Sequence, residues 1–360
     1  MNRSKEKQIV FLDCDVQDKI WVVARNIPGI FTIDKELSMV NLKYILNKKI
    51  EQHIKGLTVK IAQKYIYVFF EQGVYVYRID KKSGRIETIN IEKKYIQLEG
   101  VHEYRGKYYM IPSKSGDPLL EFNGSIIKEC IEWKERIKKI AIFKHYYFTI
   151  GFGAENNYIW TFVPYTNYLV QTDLNDYSLR YWRIGKNYRF ETIGLQGNLV
   201  WLISKEPNVI ICWSVEDGIK KEYTEFPLQL EWGEKFSFIK IIACKNKVFF
   251  IPGQASNVMV LDLQSNEFGI IGVTMTEDIK KDNDKRKFFS SKIIDNKLYL
   301  FGYCVEDSVI IDIDNYKVVK TEKLSINKED FMIIQKEILN TTGYLHENSD
   351  VKLKDYFKIL

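Results

Sequence analysis

Seven copies of one phrase limit what this chain can become. Each copy is a polar turn, a short apolar strand with an aromatic at its fourth position, a loop, and a second strand closed by a short polar side chain. The clearest copy is NKVFFIPGQASNVMVLDL, from Asn246 to Leu263. The aromatics are Trp21, Tyr67, Tyr109, Trp160, Trp201, Phe249 and Tyr299, spaced 41 to 51 residues apart. The second strands end at Asp34, Asp80, Asn123, Asp173, Ser214, Asp262 and Asp312. A short side-chain oxygen at a strand end can accept from backbone amides ahead of it and start a tight turn. A recurring aromatic supplies a large apolar body where one sheet packs on the next.

A period of this length, with four β-segments per unit, predicts one small sheet per repeat, stacked around an axis. The expected fold is all-β, a seven-bladed β-propeller of four-stranded antiparallel blades with a short α-helical C-terminal tail. Runs such as KVFFIP, NVIICW and SVIIDI are apolar throughout rather than alternating. That texture means both faces of a strand are covered, as between neighbouring blades. Two divisions follow: residues 8–324 as the propeller and 325–360 as a helical tail packed on it. Seven complete units fit with no spare strand to latch the ring, so closure falls to packing of blade one on blade seven, or to the tail. Six or eight blades remain if a unit is miscounted. The segment WKERIKK followed by IAIFKHYYFTIGF either extends the third blade or opens the fourth. In the tail, Phe331, Ile334, Ile338 and Leu339 have helical spacing, with Asn327 as the N-cap, and VKLKDYFKIL favours a second short helix. These helices either seal the rim or dock a partner chain.

Composition narrows the function classes. The 53 basic and 47 acidic residues are interleaved, giving a net charge of +6 without a basic stripe, so no nucleic-acid partner is expected. Five scattered cysteines without a Cys-x-x-Cys pair suggest small core residues in a reducing compartment. The apolar run before Asp13 is too short for a signal peptide or a membrane span, and a cytoplasmic location is expected. The abundance of Lys, Ile, Asn and Tyr resembles a low-GC bacterial genome.

In a propeller, the loops between second and third strands share one face with the inter-blade loops. The residues placed there are Arg25, Glu71, Lys114, Tyr165, Lys205, Gln254 and Tyr303. The inter-blade run 276–287, TEDIKKDNDKRK, is the longest and most charged, either a lid over the channel mouth or a solvated loop. Arg25, Lys114 and Lys205 would suit an anionic ligand such as a phosphate, sugar acid or carboxylate. Inner strands line the channel, with Asp13, Asp15, His102, Glu103, Glu191 and Lys240 as candidates. His102 beside Glu103 is the weak catalytic candidate, although neighbours on a strand point to opposite faces. No nucleophile elbow, phosphate-binding loop or metal-ligand spacing is present, so no cofactor and no metal is expected.

The repeat resembles the kelch and galactose-oxidase-like group of bacterial β-propellers, in NKVFFIPGQASNVMVLDL and NYIWTFVPYTNYLVQTDL above all. It lacks the double glycine of kelch repeats, the Gly-His and Trp-Asp dipeptides of WD repeats and the Asp-box of sialidases. The resemblance implies architecture only. The expected function is a non-catalytic platform holding a protein or peptide partner on the loop-bearing face. The alternative is an enzyme, a hydrolase, lyase or isomerase, acting on a small anionic or sugar-like substrate at the channel mouth.

Overall fold

The structure, a computed structural model, describes residues 9–25, 27–46, 55–71, 75–90, 96–114, 116–139, 152–162, 167–185, 188–233, 237–273, 286–303 and 307–342. Seven four-stranded antiparallel sheets span 14–45, 56–90, 98–129, 152–183, 190–223, 238–271 and 288–322, each built from strands consecutive in sequence. The first strand of each sheet touches the first strand of the next, and that of sheet seven touches that of sheet one. First strands therefore form the inner ring of a seven-bladed propeller, and fourth strands its rim.

Both marks of the repeat have the predicted use. In every blade the short side chain closing the third strand accepts a backbone N–H ahead of it. Asp34 takes Ser38, Asp80 takes Lys82 and Ser83, Asn123 takes Ser125 and Ile126, and Asp173 takes Asn175. Ser214, Asp262 and Asp312 do the same for Asp217, Gln264 and Asp314. The repeating aromatics each join the apolar cluster shared with the following blade: Trp160 meets Trp213 of blade five, Tyr67 meets Tyr108 and Phe122 of blade three, and Tyr299 meets blade one. One such cluster occupies each of the seven seams, so the ring has seven small cores rather than a single large one.

Polar contacts across the seams mostly share a direction. Among the described residues, most side chains on or next to the strands that reach a neighbouring blade's backbone bond to the following blade; Lys287, which donates to the Ser256 carbonyl of blade six, is an exception. Asp15 accepts from the Ile61 amide, Arg78 donates to Gly124 O, Thr192 to Ile239 O and Lys240 to Ser291 O. Lys247 donates to Ile313 O and Tyr299 to Lys35 O. Where a glycine replaces the side chain, the strands close up: a Cβ on Gly194 would lie 2.6 Å from Ile241 Cβ and 2.9 Å from its carbonyl oxygen.

Among the described residues, no strand is exchanged at the seam between blades seven and one. It is held instead by the Ile9 amide donating to Leu324 O at 3.1 Å, by Phe11 against Phe301, and by the ion pair Lys35–Asp295 at 2.6 Å. Helix α2 (Lys328–Thr342) lies on the rim strand of blade one. Its Asp330 carboxylate accepts the Leu42 amide, and Ile334 and Phe331 join the seam cluster. Asn327 Oδ1 caps the helix, accepting the Asp330 amide at 2.8 Å. Ile338 and Leu339 fall within α2, but their side chains lie outside the described residues, as does all of 343–360.

Of the run IAIFKHYYFTIGF, residues 140–151 lie outside the described residues, whereas the WKERIKK segment before it is neither strand nor loop. It forms helix α1 (Ile131–Lys139), with Trp133 and Ile137 on its buried side. Trp133 Nε1 donates to Thr172 Oγ1 at 3.1 Å, fixing the helix to blade four.

Candidate functional site

Inner strands of blades two, three, five, six and seven each slip register by one residue near the loop-bearing face. The skipped residues are Leu57, Glu99, Glu191, Ile239 and Phe289, each ten residues before its blade's repeating aromatic. A bulge of this kind bends the strand and re-aims the extra side chain. Here it sets Glu99, Glu191 and Phe289 around the channel mouth.

There they meet the loops. Arg25 donates to Glu71 at 2.5 Å, joining the second-to-third-strand loops of blades one and two. The Arg25 guanidinium also lies over the Phe289 ring, 5.0 Å from its centroid, and Tyr303 stacks obliquely on that ring at 4.5 Å. Arg286 approaches the same ring at 6.0 Å. An aromatic face flanked by two guanidiniums is attractive electrostatically. Burial raises Glu99 to about 7, helped by the Glu71 charge and opposed by Arg286. Burial raises Glu191 to about 7 as well, against the pull of the Ser237 amide and Lys205. Burial lowers Arg286, with Arg25 adding to the effect, while Glu191, Tyr303 and Glu99 oppose it. Glu191 Oε1 accepts the Ser237 amide, whereas its buried Oε2, like Arg25 Nε, has no hydrogen-bond partner among the described residues.

The loop-face candidates thus separate. Arg25, Glu71 and Tyr303 come together through Phe289, and Lys205 reaches the field of Glu191. Lys114 lies in the field of Asp117 instead. Gln254 sits in the loop after the second strand of blade six, and Tyr165 lies outside the described residues. Of the run 276–287, only Arg286 and Lys287 are described; buried Lys287 donates to the Ser256 carbonyl and faces blade six. Glu99, Arg286 and Phe289 were not singled out from sequence, yet the constant ten-residue offset from the aromatic was there to be read.

Below the mouth, the inner strands carry two further rungs of channel-side residues. Asp13, Thr58, Lys240 and Ser290 occupy the upper rung, and Asp15, Lys60, His102 and Lys292 the lower. The intervening residues Cys14, Val59, Ile193 and Ile241 are buried between blades. Asp13 accepts from Thr58 at 3.0 Å and faces the Lys60 ammonium at 3.5 Å. Burial pushes its carboxyl up, but Lys60, Lys292 and Lys240 outweigh this and hold it at about 2. Asp13 and Lys240 were expected to line the channel; Lys60 and Lys292 join them.

His102 and Glu103 part as strand geometry requires. His102 Nε2 faces the Asn156 carbonyl of blade four at 2.8 Å, so that nitrogen carries the proton, and burial lowers the pKa of the ring. Glu103 is exposed on the other side of the strand. The two form no acid–base pair. Among the described residues no group of three or more His, Cys, Asp or Glu is arranged to hold a metal ion, and no helix is long and apolar enough to cross a membrane.

The chain matches no family model and no curated protein. Solved structures do resemble it. Virginiamycin B lyase from Staphylococcus aureus superposes with a TM-score of 0.60 at 13% identity, covering 84% of this chain and 94% of that one. The computationally designed Ika8 protein gives 0.58 at 8% identity, covering 89% and 90%. YCF48 bound to D1 peptide gives 0.56 at 9%, covering 84% and 92%. At such identities the likeness establishes the propeller fold and nothing finer.

Proposed function

We propose that this protein is a propeller platform that binds a protein or peptide segment at the loop-bearing mouth of its channel. The supporting observation is the triad of bulged residues, Glu99, Glu191 and Phe289, which meets Arg25, Glu71, Arg286 and Tyr303 in one polar and aromatic cluster. Arg and Tyr over an aromatic floor are the residue types that anchor protein interfaces. Two carboxylates titrating near neutrality suit charge-assisted contacts to a partner's donors. The splitting of His102 from Glu103 favours this reading over catalysis by that pair. YCF48 with its D1 peptide is a precedent for a propeller that holds a peptide. The kelch-like affinity rests on the repeat alone, and the buried free thiols Cys14, Cys130 and Cys212 support a reducing, cytoplasmic setting.

The test is affinity capture with wild type, a mouth variant (Glu191→Gln, Arg286→Gln, Phe289→Ala) and a rim variant (Lys221→Gln, Lys317→Gln), each checked for fold by circular dichroism. We expect one partner recovered by wild type and the rim variant and lost by the mouth variant. Equal recovery by all three would remove the mouth as the binding surface.

The second reading, an enzyme acting on a small anion, is favoured by the lysines gathered deeper in the channel. It predicts turnover that survives the mouth variant and fails when those lysines are replaced.

A further inference from the structure

The channel waist carries more positive charge than the fold needs. Lys60, Lys240 and Lys292 come from three blades and converge on Asp13 of a fourth. Counting Asp15 as well, three ammonium groups face two carboxylates, and Asp15 is already engaged by the Ile61 amide at 2.7 Å. Lys60 is well compensated: burial lowers it, but Asp13 and Asp15 outweigh burial and leave it raised. Lys240 is not. Burial lowers its pKa, Asp13 opposes this, and Lys292 lowers it further. Its ammonium donates to Ser291 O at 3.0 Å, which satisfies one of three N–H groups without neutralising the charge. On the same rung, the buried Ser290 hydroxyl has no hydrogen-bond partner among the described residues.

Solvent reaches part of the waist. Asp13 keeps 33% of its side chain open and Lys60 15%, although both lie on the innermost strands. A cation short of countercharge in such a place is compensated best by an oxyanion that accepts from several donors at once.

We propose that the waist binds a small oxyanion, a phosphate or carboxylate group, between Lys240, Lys292 and the Ser290 hydroxyl, opposite the Asp13–Lys60 pair. This site lies below the mouth and does not depend on the platform reading. Lysine ammoniums and a hydroxyl recognise the charge and the oxygens rather than a planar outline, so the chemistry shared by phosphates and carboxylates is what the site selects.

The experiment is isothermal titration calorimetry with inorganic phosphate, citrate and chloride at matched ionic strength, on wild type, a waist variant (Lys240→Gln, Lys292→Gln) and a mouth variant (Arg25→Gln, Lys205→Gln). Saturable binding of phosphate or citrate, but not chloride, is expected in wild type and the mouth variant. Affinity should fall by about tenfold or more in the waist variant, since each lost charge-assisted contact contributes at that scale. A stronger response to phosphate or to citrate separates the two ligand sources. Acetylation footprinting of wild type alone is the second measurement, and it needs no variant to fold: phosphate or citrate should protect Lys240 and Lys292 selectively. Absence of saturable binding, equal affinity in the waist variant, loss confined to the mouth variant, or uniform protection of lysines would each overturn the proposal.

Discussion

Glu99 and Glu191 show how a single side chain can work against the fold that carries it. Both are raised from 4.5 to about 7. A carboxyl whose folded-state pKa exceeds its unfolded value makes the folded state bind more protons between those two values. Stability from this source is therefore full below about pH 4.5, falls as pH rises to about 7, and stays low above it. Replacing both residues by Gln should leave stability below pH 4.5 nearly unchanged and raise it at pH 8. The gain per site should be on the order of 1–3 kcal/mol, read by urea unfolding across that range. A variant no more stable than wild type at pH 8 would mean that these carboxylates are better solvated than their position implies. The seven aromatics and seven turn acceptors were legible because each is a fixed residue type at a fixed place. The mouth was less so: the bulged Leu57, Glu99, Glu191, Ile239 and Phe289 share a position but no common residue type, and only the bulge makes them equivalent. The charges of Arg25 and Glu71 were visible, while their pairing depended on how blades one and two meet.

Whole elements were legible wherever their period held. The 28 strands among the described residues pair in sequence order because each connection within a blade is short. Helix α1 escaped because nine residues with three apolar positions, of which only Trp133 and Ile137 are buried, give too little periodicity between strand-like neighbours. Helix α2 declared itself through its cap, and its link to the ring can be measured. Asn327→Ala should cost about 1 kcal/mol through the lost bond to the Asp330 amide, and Ile334→Ala about 2–4 kcal/mol through the cavity left in the seam. Both would be read as shifts in urea midpoint. The close approach at Gly194 makes the opposite kind of prediction. Gly194→Ala sets a methyl against Ile241 backbone as well as side chain, so the blades five and six must separate, at about 1–3 kcal/mol. A neutral Ile334→Ala would show that α2 lies loosely on blade one.

For the molecule as a whole, the seam between blades seven and one is where the ring is made. Asp13, which ties the innermost strand of blade one to Thr58 and Lys60 of blade two, is held at about 2 against an ordinary 3.8. Its contribution is present above about pH 4 and lost as pH falls through about 2. Asp13→Asn should destabilise the protein at pH 7 by about 1–3 kcal/mol, after allowance for solvent at the carboxylate. That difference should shrink towards zero near pH 2, and hydrogen exchange at pH 7 should show the innermost strand of blade one opening first. An equal penalty at both pH values would assign the effect to packing instead. Most polar side chains that reach a neighbouring blade's backbone across the seams lean one way round the circle, a blade grasping its successor, while Lys287 reaches back to the Ser256 carbonyl. A unit copied into such a circle brings its own grip and finds a free hold waiting, and a unit removed leaves two ends that still fit. Growth or shrinkage by one sheet is thus written into the wiring, and the circumference is a quantity that evolution can change without redesigning any joint.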